Sequence, residues 1–198
     1  MNNISFKANY ITSIGVLRKN QEGKYQSDSI SVASIDFNNK NDRNAINEIC
    51  EKWRGNIFCD CIKDSKQNVW VATAQTNDRS LEAFLDSNKI VCLINMKLQP
   101  NKTNIFHIET VPNSINDEYN HVGTEIIEYI KTKTKRIELF CPSTKIIKQF
   151  YYKLGFVHKA PNSTKIIDYG KLYWLRNPKS VKGLIFRLFN KIYYNFIK

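Results

Sequence analysis

"IFHIETVPNSINDEYNHVGTEIIEYI", residues 105–130, decides the fold of this chain. Its first seven residues are rich in β-branched and aromatic side chains, the composition of a strand. "PNSINDEY" is loop material, and then Val122, Ile126, Ile127 and Ile130 recur on one face of a helix. Gly123 falls in the first turn of that helix. The first amides of a helix lack an intrahelical acceptor and lie at the positive end of its dipole. The helix mouth is therefore either a plain turn or a seat for an anion such as phosphate.

Downstream, "RIELFC" (136–141) reads as a strand broken by Pro142. Ser143 can cap the next helix, "TKIIKQFYYKL" (144–154), whose apolar face is Ile146, Ile147, Phe150, Tyr151 and Leu154. Gly155 is placed as its left-handed terminator. "FVHK" (156–159) and "KLYWLR" (171–176) supply two more strands.

Upstream, "ISFKANYITSIGVLR" (4–18) and "ISVASIDF" (30–37) read as strands joined through the turn "NQEGK" (20–24). A helix opens at Asp42, with Ala45, Ile46, Ile49, Cys50 and Trp53 at helical spacing, and stops at Gly55. "NVWVATAQ" (68–75) is a strand, "DRSLEAFLDSNK" (78–89) a helical turn or short insertion, and "KIVCLINMKL" (89–98) a buried strand. The order predicts a mixed α/β (α+β) fold: a central mixed, mostly antiparallel sheet flanked by helices.

At 198 residues the chain suits one core with an extension at each end. Hydrophobic residues at 42%, aromatics at 12% and charges at 24% exclude a disordered chain. The net charge of +12 has two readings. It is either a general bias toward lysine or the footprint of a polyanionic partner. Five cysteines (Cys50, Cys59, Cys61, Cys92 and Cys141) form no paired framework and imply reduced thiols. Cys59 and Cys61 lack the second ligand pair of a closed zinc site, so no metal is expected. The first residues carry no apolar core before a cleavage site, and no run is long enough to span a bilayer. A cytoplasmic protein is expected.

The strand, the loop, the glycine-bearing helix start and the later "FYYKLGF" (150–156) together resemble the GNAT superfamily of acyl-CoA N-acyltransferases, over about residues 30–176. The second signature, Phe-Tyr-x-Lys-x-Gly-Phe, matches at Phe150, Tyr151, Lys153, Gly155 and Phe156. At the helix start the family pattern is Gln or Arg, two variable residues, Gly, one variable residue, and Gly or Ala. Gly123 takes its last place, while His121 and Glu118 stand where the family has Gly and Gln or Arg. The resemblance implies acetyl-CoA as co-substrate, its pyrophosphate against the amides of His121, Val122, Gly123 and Thr124. Main-chain groups near Thr110 and Val111 would hold the pantetheine arm, and Thr144 takes the place of a residue that contacts it.

The implied reaction is direct transfer of an acetyl group to a primary amine. In the family a tyrosine at the position of Tyr151 protonates the departing thiolate. A phenol titrating near 10 stays protonated at neutral pH and can do so; as a core aromatic it would do nothing. Glu109 and His107 lie two apart on one strand and so share a face. Either they form a proton acceptor for the amine, Glu109 first and His107 second, or they are a hydrogen-bonded pair on the sheet. The acceptor is a small molecule, a protein amino group or an aminoacyl-tRNA. The alternative function is a catalytically silent GNAT-like binding module.

Residues 1–29 are expected as a strand extension packed on the domain, 30–176 as the acetyltransferase domain, and 177–198 as a basic amphipathic helix. In the last, Leu184, Ile185, Leu188, Phe189, Ile192 and Phe196 recur at helical spacing with Lys182, Arg187 and Lys191 opposite. Such a helix packs on its own domain, on a second copy in a homodimer, or on an anionic membrane surface.

Overall fold

The computed structural model describes residues 9–35, 40–53, 68–74, 89–111, 118–140, 145–158 and 171–176. Nine strands and three helices occur among them. In chain order they are β1 (Asn9–Lys19), β2 (Tyr25–Ile35), α1 (Lys40–Lys52), β3 (Asn68–Ala74), β4 (Ile90–Lys97), β5 (Thr103–Thr110), β6 (Tyr119–Asn120), α2 (Val122–Lys133), β7 (Arg136–Phe140), α3 (Lys145–Lys153), β8 (Val157–His158) and β9 (Lys171–Leu175). The fold is mixed α+β, as the element order in the sequence implies. The segments 75–88 and 177–198, with Cys59, Cys61, Cys141, Ser143 and Thr144, lie outside the described residues.

The chain forms two compact units, Met1–Lys97 with Phe106–Tyr129, and Leu98–Ile105 with Ile130–Lys198. In the first, the strand order is β6-β1-β2-β3-β4-β5. β1 pairs with β6 and β2, β2 with β3, and β3 with β4, all antiparallel. The β1–β2 turn is built by Asn20, whose carbonyl accepts from Gly23 N–H at 2.9 Å and whose Oδ1 accepts from Glu22 and Lys24. Gly23 supplies the left-handed residue the turn requires, with φ 79°. β2, β3 and β4 are buried on both faces, with Val32, Ala72 and Cys92 on one and Ala33, Val71 and Leu93 on the other, and α1 buries Ile46 and Ile49, with Trp53 just beyond its end. β4 is buried from Ile90 to Met96, which explains its uninterrupted apolar sequence. α2 buries Val122, Ile126 and Ile127, and Tyr129 meets Trp70 of β3 at 6.2 Å between ring centroids.

In the second unit, Thr103–Ile105 of β5 pairs in parallel with Ile137–Leu139 of β7. β7 pairs antiparallel with β9, and β9 with β8. α3 ends as its sequence predicts. Gly155 has φ 76°, its N–H bonds Tyr152 O at 2.9 Å, and Phe156 N–H bonds Tyr151 O at 3.0 Å. These two bonds form a Schellman motif, with the rings of Tyr151 and Phe156 in edge contact at 5.5 Å as its hydrophobic clasp. The expected apolar face of α3 needs one correction. Tyr151 is buried and Phe150 and Leu154 half-buried, but Ile147 is 38% exposed. Near the start of a nine-residue helix the apolar stripe runs past the edge of what the helix covers.

Candidate functional site

His107 and Glu109 end β5 in the first unit, and their side chains meet: Nε2 of His107 lies 3.1 Å from Oε2 of Glu109. Both are half-buried, on the face of β5 that also carries Ile105. On the neighbouring strand β4, Cys92 is fully buried. Burial, and after it the Glu109 carboxylate, push the Cys92 thiol well above its ordinary range. A thiol held protonated in this way is no nucleophile. One residue beyond β5, Val111 N–H donates to Val91 O at 2.9 Å. That amide is spent within the sheet, and Thr110 beside it is exposed.

The loop into α2 is tied to β1. Lys19 N–H donates to Glu118 O at 2.7 Å, and Arg18 donates to Glu118 Oε2 from Nε at 3.1 Å and from Nη2 at 2.9 Å. The guanidinium also lies 5.5 Å from the centre of the Tyr119 ring and 3.6 Å from an Asp28 oxygen. The hydrogen bond to Glu118 is foremost in raising the pKa of Arg18 above its ordinary value. Glu118, which stands in the place of a Gln or Arg, thus directs its charge to Arg18. This partner is 100 residues away in sequence, and no local pattern announces it.

The left-handed residue at the helix start is His121, with φ 62°, and Gly123 sits inside the first turn with no positive φ. His121 acts as the N-cap: its carbonyl accepts from Glu125 N–H at 3.0 Å, the first intrahelical bond. Its own N–H donates to Asn120 Oδ1 at 2.8 Å. Of the four amides expected to face phosphate, His121 is therefore capped by the chain itself. Those of Val122, Gly123 and Thr124 have no acceptor among the described residues. Three N–H groups with no described acceptor at a helix mouth form an array that suits an oxyanion.

Tyr151 belongs to the second unit, in α3, and is 7% exposed. Phe150 and Phe156 pack edge-on against it at 5.1 and 5.5 Å between centroids. Tyr152, the next residue round the helix, is half-buried. Close by is a residue that sequence reading passed over. Lys131, near the end of α2, is only 8% exposed, and its Nζ donates to Leu154 O at 2.7 Å. Its ammonium lies 5.4 Å from the Trp174 ring centre and 5.8 Å from that of Phe156. It places a positive charge on the negative end of α3. Its position four residues after Ile127 in the apolar stripe was the available signal.

No family model and no curated protein matches the chain. Solved structures do. The NatC complex bound to Gag peptide and CoA is 12% identical, with 75% of this chain and 99% of that chain covered at a TM-score of 0.46. The Campylobacter jejuni N-acetyltransferase PseH is 13% identical, covering 75% and 99%, at a TM-score of 0.43. A GNAT-family acetyltransferase from Staphylococcus aureus is 15% identical, covering 74% and 99%, at a TM-score of 0.42. The likeness is one of fold alone, and this chain is similar in fold to GNAT-family N-acetyltransferases.

Proposed function

We propose that this chain transfers an acetyl group from acetyl-CoA to a primary amine. The observation that carries the reading is the set of amides at Val122, Gly123 and Thr124, which have no acceptor among the described residues. Joined to it is the "FYYKLGF" signature at residues 150–156. The amides hold the pyrophosphate, with the Thr124 hydroxyl as a further donor. Thr110 and Thr144 serve the pantetheine arm. Glu109, hydrogen-bonded to His107, takes the proton of the incoming amine. The amine nitrogen attacks the thioester carbonyl, the carbon–sulfur bond breaks, and the Tyr151 hydroxyl protonates the departing thiolate. Protonation as the carbon–sulfur bond breaks makes the leaving group a neutral thiol, and positioning supplies much of the remaining rate.

A silent binding module is the second reading. It is favoured by the two expected donors that the chain itself occupies, His121 N–H and Val111 N–H. An acetyl-CoA titration followed by thermal unfolding separates the two. Ligand at about a hundred times its dissociation constant stabilises the folded state by about 2.7 kcal/mol. No shift at millimolar acetyl-CoA removes the enzyme reading. Where binding occurs, Tyr151→Phe is expected to lower kcat by roughly a hundredfold or more with little change in acetyl-CoA affinity. Unchanged turnover takes Tyr151 out of the mechanism.

A further inference from the structure

The positive charge of this chain is segregated. Residues 130–198 hold 16 of its 30 Lys and Arg but only 2 of its 18 Asp and Glu. Among the described residues of the second unit, ten Lys and Arg stand against one carboxylate, Glu138; in the first unit the corresponding figures are eight and nine. A general lysine bias would have charged both alike.

Five of these cations converge from three segments: Lys102 before β5; Lys133, Lys135 and Arg136 at the α2–β7 junction; and Arg176 after β9. Lys135 joins the segments through its backbone, its N–H donating to Pro100 O and its carbonyl accepting from Arg176 N–H, both at 3.0 Å. Lys102 Nζ lies 2.7 Å from Glu138 Oε2, and Arg136 pairs with the same carboxylate. The Arg136 guanidinium also rests 5.8 Å from the centre of the Tyr173 ring. Arg176 donates to the carbonyls of Lys131 and Thr132. Glu138 is thus shared by two of the five, Lys102 and Arg136. Lys133, Lys135 and Arg176 are exposed.

We infer that this patch binds the phosphate backbone of a nucleic acid. Lysine and arginine gathered from separate segments, one of them against an aromatic ring, suit repeated phosphates, and counterion release drives such binding. An anionic membrane would require apolar side chains to insert beside the cations. Of the exposed large apolar residues described, Tyr10, Leu17, Tyr25 and Phe106 belong to the first unit. Ile147, in the second, lies on α3, outside these three segments. None of the five cations has a role in the proposed acyl transfer.

The test is fluorescence anisotropy of a labelled RNA hairpin and a labelled DNA duplex against the full chain over a salt series. Affinity for either or both is expected to fall with salt, with a log–log slope of about −3 to −4 for the duplex. Lys133→Glu with Lys135→Glu should weaken binding roughly tenfold or more and flatten the slope by about 2. Lys24→Glu with Lys89→Glu, exposed residues of the first unit, removes the same charge and should change affinity less than about twofold. Should the first pair fail to fold by circular dichroism, Lys102→Gln takes its place, with a loss of roughly threefold expected. Equal losses from the two lysine pairs would overturn the inference. So would an absence of binding at physiological salt, or capture of phosphatidylserine vesicles but of neither nucleic acid.

Discussion

Cys92 shows how a single residue couples the sheet to pH. Enclosed on β4 beside Glu109, its thiol has a pKa raised above the ordinary 9.0, burial being the first cause. Above pH 9 the unfolded chain releases this proton while the folded chain keeps it, so stability falls as pH rises. One proton of difference amounts to about 1.4 kcal/mol per pH unit. Denaturation midpoints measured from pH 8 to 11 should therefore fall more steeply in the native chain than in Cys92→Ala; parallel slopes would refute the assignment. The candidate residues His107, Glu109 and Tyr151 were all legible in the sequence as residue types at telling positions. The occupancy of the His121 and Val111 amides was not, because hydrogen bonds to Asn120 Oδ1 and Val91 O depend on where the backbone comes to rest.

Elements end and anchor by rules that differ in range. Gly155 at φ 76° is a local rule, and Gly155→Ala should cost about 1 to 2 kcal/mol by chemical denaturation. An added Cβ would meet Trp174 Cδ1 at 3.9 Å, an ordinary contact, so the loss reports the backbone alone. A loss below about 0.3 kcal/mol would mean the turn relaxes. The anchor of β6 is a long-range rule. Arg18→Ala removes the hold on Glu118 and Tyr119 at the entrance to α2. Stability should change by less than about 1 kcal/mol, since the pair is exposed. The acetyl-CoA dissociation constant, measured by calorimetry, should rise several-fold with kcat little changed. An unchanged constant would show that α2 holds its place without β1. The two-residue β6 escaped sequence reading because so short a strand has no periodicity of its own.

Charge is the property of the molecule that composition reports least well. The second unit carries ten described cations against one carboxylate, so its parts repel one another at low ionic strength. Amide hydrogen exchange in β7 and β9 should slow as salt rises from a few millimolar to physiological strength, with β2 and β3 changing little. Uniform behaviour across the chain would deny the segregation any energetic effect. The sequence alone determined the alternation of strands and helices, the buried stripes of α1 and α2, and the stop at Gly155. These follow from periodicity and backbone preference, which act over a few residues. Tertiary structure decided that Arg18 answers Glu118, that Lys131 is drawn inward to cap α3, and that Lys102 and Arg176 join the cations of the α2–β7 junction. Each of these depends on which distant segments are brought together, and no local pattern encodes that.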